Sequence, residues 1–138
     1  MLTVSKRYRF SAAHTLRSPE FSDEENQRVF GKCANATGHG HDYVLEFCLS
    51  AAALTDDVVF GHGRLDQLVE AHIKPYFDRT DLNTTFGPQF ISSGENLAAA
   101  AHQLLAAHLP SSVRLVVRLQ ETDKNSFRID GPISGSGF

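Results

Sequence analysis

The sequence predicts one α+β domain, residues 1–138, whose elements run strand, strand, helix, helix, strand, strand. Near both ends of the chain, apolar residues alternate with polar ones, as in half-buried strands. Between these regions, apolar residues recur at every third or fourth position, as in amphipathic helices. The chain has 138 residues, the size of one ordinary domain, and 41% of them are hydrophobic, which is enough to form a buried core.

The first strand is predicted close to the amino terminus. Its apolar residues occupy even positions: Leu2, Val4, Tyr8, Phe10 and Ala12. His14 continues this face directly after the apolar run, so its side chain is expected on the core side at the end of the strand. A single histidine in such a place is either packed in the core or a ligand.

The second strand is predicted from His39 to about Ser50, and it can pair antiparallel with the first. Residues two apart share a face, so His39 and His41 begin a face that is otherwise apolar. The apolar residues of that face are Tyr43, Leu45, Phe47 and Leu49. Two adjacent neutral imidazoles suit Zn²⁺, although packing or surface histidines give the same pattern. His14 and Cys33, which lies six residues before His39, favour the metal site.

Four segments are predicted to lack regular structure, because they are rich in polar, Gly or Pro residues. They are residues 17–28, which are expected to be mobile, and residues 30–38, 51–63 and 78–88.

Two helices are predicted in the second half of the chain. The first spans Arg64 to about Tyr76, where Pro75 should distort or end the last turn. The second spans Asn96–His108, and Ser92 with Glu95 forms the capping-box pattern S-x-x-E before it.

The third strand is predicted at Val113–Gln120, and continued alternation places Glu121 on its apolar face. A buried carboxylate is costly unless it is paired or hydrogen-bonded, and the alternative is that Glu121 turns to solvent. A short fourth strand is predicted at Ser126–Ile129. The tail, about residues 130–138, is rich in Gly and Ser and is expected to be poorly ordered.

Composition excludes several classes of protein. The net charge is −3, which gives no reason to expect nucleic acid as a partner. Neither a signal peptide nor an apolar run of membrane-spanning length is evident, so no membrane association and a cytoplasmic location are expected. In a reducing compartment, Cys33 and Cys48 are expected to remain unpaired.

Four motifs together resemble one known family. They are F-S-A-A-H at Phe10–His14, C-x5-H-G-H-x-Y at Cys33–Tyr43, G-E-N-L-A at Gly94–Ala98 and E-T-D at Glu121–Asp123. Their order and spacing resemble those of the 6-pyruvoyltetrahydropterin synthase family, which includes the related 6-carboxytetrahydropterin synthases. The resemblance implies a tunnelling fold, a four-stranded antiparallel sheet with two helices on one face. It also implies homo-oligomers, usually hexamers built as dimers of trimers, with sites between subunits.

The resemblance assigns roles to individual residues. It implies that His14, His39 and His41 bind Zn²⁺. Cys33 matches the catalytic thiol and Asp78 the aspartate of a catalytic Asp-His pair. Glu121 matches the carboxylate that anchors the pterin ring, and Thr122 follows it in the same substrate-binding motif.

The activity implied is that of a zinc-dependent carbon–oxygen lyase. It would convert 7,8-dihydroneopterin triphosphate to 6-pyruvoyltetrahydropterin or a related 6-substituted tetrahydropterin, with Cys33 as the general base. The five-residue gap between Cys33 and His39 is that of the pyruvoyl-forming branch. The alternatives are a 6-carboxytetrahydropterin synthase of deazapurine (queuosine) biosynthesis, an aldolase-like enzyme, and a zinc- and pterin-binding paralogue with weakened catalysis.

Two positions depart from the family pattern, and the first of them raises the alternative of a paralogue with weakened catalysis. Arg79 follows Asp78 where the family has its catalytic histidine, and arginine does not shuttle protons near neutral pH. Arg79 and zinc are expected to lower the pKa of the Cys33 thiol. Gly61-His62 stands where most relatives have Asp-Phe. His62 either has a chemical role of its own or is a surface residue. Another histidine could also replace the missing one: His72 and His102 are the two candidates.

Overall fold

The protein was studied as a computed structural model, which describes residues 1–34, 39–52 and 62–131. Five strands form one sheet in the order β3-β1-β2-β4-β5: β1 (Leu2–His14), β2 (His39–Ala51), β3 (Thr80–Asp81), β4 (Arg114–Gln120) and β5 (Ser126–Asp130). The helices of this part of the chain are α1 (Asp23–Phe30), α2 (His62–His72), α3 (Lys74–Phe77), α4 (Leu82–Phe86) and α5 (Gly94–Ala106). None of them is long and apolar enough to cross a lipid bilayer.

The four longer strands pair antiparallel with one another, as predicted. β1 and β2 pair over their full lengths, from Leu2 opposite Ala51 to His14 opposite His39. β4 pairs with β2, and β5 pairs with β4. The unpredicted β3 has two residues and runs parallel to β1. The β1–β2 register therefore brings the predicted metal-binding histidines of both strands to one end of the sheet.

One face of the sheet forms the core with the helices. The odd-numbered side chains of β4, and those of β2 from Tyr43 onward, are buried, as their alternation predicts, and they pack in one cluster with side chains of α2 and α5. The strand residues are Tyr43, Leu45, Phe47, Leu49, Leu115, Val117 and Leu119. The helix residues include Leu65, Leu68, Val69, Leu97, Ala101 and Leu105. Burial of each large apolar side chain contributes about 1.5–3 kcal/mol to the stability of the folded state. This packing holds the strand ends in place.

The prediction that residues 17–28 form a mobile loop is wrong, because α1 occupies Asp23–Phe30. Ser22 caps this helix: its side chain accepts a hydrogen bond from the Glu25 backbone N–H. The Ser22 hydroxyl also lies 3.2 Å from the Glu25 carboxylate. The first turn contains three acidic residues, whose negative charges interact favourably with the positive end of the helix dipole and so stabilise the helix. Gly31, at φ 58°, ends the helix in a left-handed conformation that suits glycine.

The helix predicted at 64–76 is two helices, since α2 ends at His72 and α3 begins at Lys74. Pro75 lies in the first turn of α3, where its missing N–H costs nothing. The loop predicted at 78–88 contains β3 and α4. Asp81 caps α4 by accepting hydrogen bonds from two backbone N–H groups.

The predicted cap of α5 is displaced by one residue. Ser93 caps the helix by accepting a hydrogen bond from the Asn96 backbone N–H, and the helix begins at Gly94. Ser92 is free for another contact because it is not the cap. The tail beyond residue 131 and the departure at Gly61 lie outside the described residues, as does the side chain of His62.

Candidate metal centre and substrate site

The ends of β1 and β2 bring three imidazoles together. His14 ends β1, and His39 and His41 begin β2 on the same face. One potential ligand atom from each of the three side chains lies within 4.8 Å of the others. The Nε2 atoms of His14 and His39 are 3.1 Å apart. Side chains 25 or more residues apart therefore converge on one point because the β1–β2 register pairs their strand ends.

His14 is held in the form that a metal requires. It is 1% exposed, and its Nδ1 atom lies 2.8 Å from the Ser92 carbonyl oxygen. A carbonyl only accepts, so Nδ1 carries the proton and Nε2 keeps its lone pair toward the other histidines. Burial lowers the pKa of His14 to about 4, so the ring is neutral near neutral pH. A metal-ligating histidine typically has such a partner on its other nitrogen.

The other two histidines have buried nitrogens without a hydrogen-bond partner in the described chain. These atoms are Nδ1 of His39 and Nε2 of His41. The His41 Nε2 atom lies 3.3 Å from Glu121 Oε1, but without hydrogen-bond alignment. An unsatisfied buried polar atom costs about 1–3 kcal/mol, which a bound cation would offset. Three neutral imidazoles fit Zn²⁺ and leave at least one coordination position open, as catalytic zinc sites do.

Glu121 belongs to the same cluster. It directly follows β4, and its side chain is 12% exposed. Its Oε1 atom lies 3.3 Å from His41 Nε2 and 3.8 Å from His14 Nε2. Burial raises the pKa of this carboxyl, an effect that His41 opposes and Glu95 reinforces. Glu121 is thus placed on the core side of the strand end, as alternation predicts, and does not turn to solvent.

Cys33 lies near this carboxylate. It is half-buried in a short 3-10 helix, Gly31–Ala34, and its backbone carbonyl accepts a hydrogen bond from the Leu16 N–H at 2.7 Å. That bond ties the segment to the chain just past His14. Burial raises the pKa of the Cys33 thiol, and the charge of Glu121 raises it further. The lowering of the thiol pKa that was expected from Arg79 is therefore not found, since burial and Glu121 are the groups that act on it.

Asp78 and Arg79 are not part of the histidine cluster, although Arg79 and His41 line the same cavity of about 430 Å³. Asp78 follows α3, and its backbone N–H donates to the Lys74 carbonyl. The Arg79 N–H donates to the Ser11 carbonyl at 2.6 Å, on the outer side of β1. In the described part of the chain, neither side chain forms a hydrogen bond or ion pair with the three histidines.

Thr122 also points away from the cluster. It is exposed, and its hydroxyl accepts a hydrogen bond from the Lys124 backbone N–H. Its side chain therefore stabilises the turn between β4 and β5. A cavity of about 860 Å³ begins beside the site, since its lining includes Thr15 and Ala34, which directly follow His14 and Cys33.

Neither of the two proposed replacement histidines reaches the site in this chain. His102 is buried, with Nε2 3.1 Å from the Leu115 carbonyl. His72 stacks on His108 at a ring-centroid distance of 3.5 Å.

Sequence reasoning did not identify the role of Ser92. Its contribution to the site is a backbone carbonyl, a group that every residue carries, so no residue pattern signals it. Tyr43 was recognised only as a core residue, yet its hydroxyl lies 3.4 Å from His14 Nδ1.

Comparisons with known proteins agree with this fold. Residues 3–132 match the sequence model of the family described as 6-pyruvoyl tetrahydropterin synthase. The chain is 34% identical over 137 residues to the 6-pyruvoyl tetrahydrobiopterin synthase of Pongo abelii, covering 88% of this chain and 86% of that one. It is 33% identical over 139 residues to the Drosophila melanogaster protein of the same name, covering 98% and 83%.

A solved structure shares the fold as well. The 6-pyruvoyl tetrahydropterin synthase of Caenorhabditis elegans superposes with a TM-score of 0.84 at 32% identity, covering 95% of this chain and 96% of that one. The α+β sheet with its helices on one face is the tunnelling fold that the motifs imply. The chain therefore belongs to the 6-pyruvoyl tetrahydropterin synthase family.

Proposed function

We propose that this protein is a zinc-dependent lyase that converts 7,8-dihydroneopterin triphosphate to 6-pyruvoyltetrahydropterin. The observation that carries the proposal is the convergence of His14, His39 and His41, with the Glu121 carboxylate 3.3 Å from the nearest imidazole. The relatives named above are 6-pyruvoyl synthases, which supports this product over the 6-carboxy alternative.

The reaction eliminates triphosphate and rearranges the hydroxyl-bearing side chain, so it needs no external oxidant. Bound Zn²⁺ would stabilise the negative charge that develops on the side-chain oxygens. Cys33 would take the proton from the neighbouring carbon as a thiolate, the form that acts as a base. Glu121 would hold the pterin by accepting hydrogen bonds from its amino and ring N–H groups. Ser92 keeps His14 in the neutral, ligand-ready tautomer.

The test of the activity uses the zinc-loaded protein and 7,8-dihydroneopterin triphosphate. Products are separated by chromatography and identified by mass spectrometry. We expect release of triphosphate and a product with the mass of 6-pyruvoyltetrahydropterin, and near-complete loss of activity in Cys33→Ala. Cys48→Ala is the matched control, because Cys48 lies toward the end of β2 that is opposite the histidines. A 6-carboxy product, or full activity in Cys33→Ala, would refute this assignment.

The metal is tested separately from the reaction. We expect one Zn²⁺ per chain in the purified protein and its loss in His39→Ala. His108→Ala serves as the control, since His108 is an exposed histidine far along the chain. Absence of stoichiometric metal, or unchanged zinc content in His39→Ala, would contradict the assignment.

A further inference from the structure

Gly94, the first residue of α5, lies directly against the ring of Phe127 in β5. A Cβ atom at position 94 would lie 2.0 Å from Phe127 Cε2 and 2.4 Å from Cδ2, distances that real atoms do not adopt. Gly94 does not have the left-handed backbone that requires glycine elsewhere in this chain. Glycine is therefore needed at this position for space and not for backbone conformation.

Phe127 is held from the strand side. It lies opposite Leu119 in the β4–β5 register and packs against the main hydrophobic core. Because the ring is fixed between the sheet and Gly94, it limits how closely the first turn of α5 can approach β5. The ring thus limits the position of the first turn of this helix relative to the sheet.

The start of α5 is connected to the metal centre through Ser92. This residue lies two positions before Gly94 and is fully buried. Its carbonyl accepts the His14 Nδ1 proton at 2.8 Å, and its hydroxyl donates to the Thr15 carbonyl at 3.4 Å. The Asn96 side chain donates to the Ile91 carbonyl at 2.9 Å, which ties the first turn of the helix to the segment before it. A displacement at Gly94 is therefore transmitted to the Ser92 carbonyl.

We propose that Phe127, packed on the bare backbone of Gly94, is a positioning residue for the metal centre. It sets the Ser92 carbonyl at the distance that keeps the proton on His14 Nδ1 and the lone pair on Nε2. This deepens the proposed function, on which it rests for the assignment of the three histidines as Zn²⁺ ligands. Among the described residues, Phe127 contacts Gly94 and the hydrophobic core and makes no contact with the three histidines.

The test is a double-mutant cycle of Gly94→Ala and Phe127→Ala, with Zn²⁺ affinity measured by competition against a chromophoric chelator. We expect Gly94→Ala to weaken Zn²⁺ binding about tenfold or more, the size of effect seen when a ligand's supporting contact is lost. Phe127→Ala should also weaken it, because the start of α5 loses its support. Adding Gly94→Ala to Phe127→Ala should then cost little more, since the new methyl group finds open space.

Gly63→Ala is the matched control. Gly63 lies near the start of α2, and a Cβ atom there would have no neighbour within 4 Å among the described residues. This variant should bind Zn²⁺ like the wild type. Unchanged affinity in Gly94→Ala, or an equal loss from Gly94→Ala in both backgrounds, would overturn the proposal.

A second readout does not depend on the metal. Nitrogen-15 NMR of the metal-free protein reports which ring nitrogen of His14 carries the proton. We expect the Nδ1–H form in wild type and Gly63→Ala, and a mixture of forms in Phe127→Ala. If Gly94→Ala does not fold, Phe127→Ala decides, and an unchanged tautomer with unchanged affinity overturns the proposal. Failure of the wild type to bind Zn²⁺ would refute the proposed metal centre, whereas the tautomer would still test the positioning role.

Discussion

The three histidines of the cluster are not equivalent. His14 is almost fully buried and already has a hydrogen-bond partner on Nδ1, whereas His39 and His41 are half-buried and each keep one buried nitrogen unpaired. Burial lowers the pKa of His14 and of His39. Protonation therefore competes weakly with a metal at these two rings near neutral pH.

Substitution of Glu121 tests the pterin anchor at the level of one residue. We expect Glu121→Gln to weaken pterin binding about tenfold or more, because an amide cannot accept both N–H bonds and a charge-assisted hydrogen bond contributes about 1.5–3 kcal/mol. Zinc content should not change. Isothermal titration with a pterin ligand measures the affinity. The control is Glu70→Gln, which makes the same change at an exposed carboxylate on α2. Equal affinities of Glu121→Gln and wild type would refute the anchor.

Arg79 tests the departure from the family pattern. It is exposed and has a φ of 55°, in the left-handed region that histidine tolerates better than most residues. A histidine there can exchange protons near neutral pH, so we expect Arg79→His to raise kcat, by up to the roughly 100-fold that general acid–base catalysis supplies. Arg28→His, on α1, is the control for a surface change. An unchanged kcat in Arg79→His would show that Arg79 does not limit turnover.

Among the helices, α5 contributes to both the core and the site. Its first turn holds the Ser92 segment, and seven of its residues are buried. One of these is His102, whose Nε2 lies 3.1 Å from the Leu115 carbonyl of β4. Burial lowers the pKa of His102, while the Leu115 carbonyl and Asp130 oppose this effect.

This lowered pKa predicts how α5 responds to acid. In the unfolded chain His102 has a pKa near 6.5, so below that pH the unfolded state binds the proton more readily than the folded state. The stabilisation from the neutral ring is complete above about pH 6.5 and is lost as the pH falls toward the folded-state pKa. We expect His102→Gln to lose less stability than wild type between about pH 7 and pH 5.

The measurement is the free energy of unfolding in urea at fixed protein concentration over this pH range. Glutamine can still donate to the Leu115 carbonyl, so it preserves the hydrogen bond without the titration. At pH 8 His102 is neutral in both the folded and the unfolded state, so the difference in unfolding free energy between wild type and His102→Gln reports only how the two side chains pack. Parallel pH profiles of the two proteins would contradict the prediction.

At the scale of the molecule, the sheet has two open edges. β5 lies at one edge, and at the other only Ala12 and Ala13 of β1 are paired with β3. Most of β1 therefore presents unpaired backbone groups in the described part of the chain, and such edges readily pair with another strand. In the residues that the structure describes, Asp78 and Arg79 form no hydrogen bond or ion pair with the histidines of their own chain.

We therefore expect a ring of three chains closed by pairing of β5 with β1 of the next chain, and a hexamer of two rings. Light scattering coupled to size-exclusion chromatography measures the mass in solution. A mass of three or six chains is expected at micromolar concentration. A monomer that is active at that concentration would contradict both the assembly and a site shared between subunits.

Local patterns were sufficient for much of this structure. Alternation alone placed His14, His39, His41 and Glu121 on core faces at strand ends, because the pleat assigns every second side chain to one side. The α1 helix was missed although Ser22 and Glu25 carry its capping box, since the segment lacks an apolar stripe. The break between α2 and α3 was only partly predicted from Pro75, because proline is compatible with both the end of one helix and the start of the next.

The amino-acid sequence by itself determined which side chains face the core and which of them suit a metal ion. The tertiary structure decided that the β1–β2 register brings His14 opposite His39, that Ser92 sets the His14 tautomer and that Glu121 acts on the pKa of Cys33. The physical reason is that side-chain direction in a strand follows from local geometry. Strand register, backbone-carbonyl contacts and the packing of Phe127 on Gly94 instead depend on residues far apart in sequence, which meet only when the core forms.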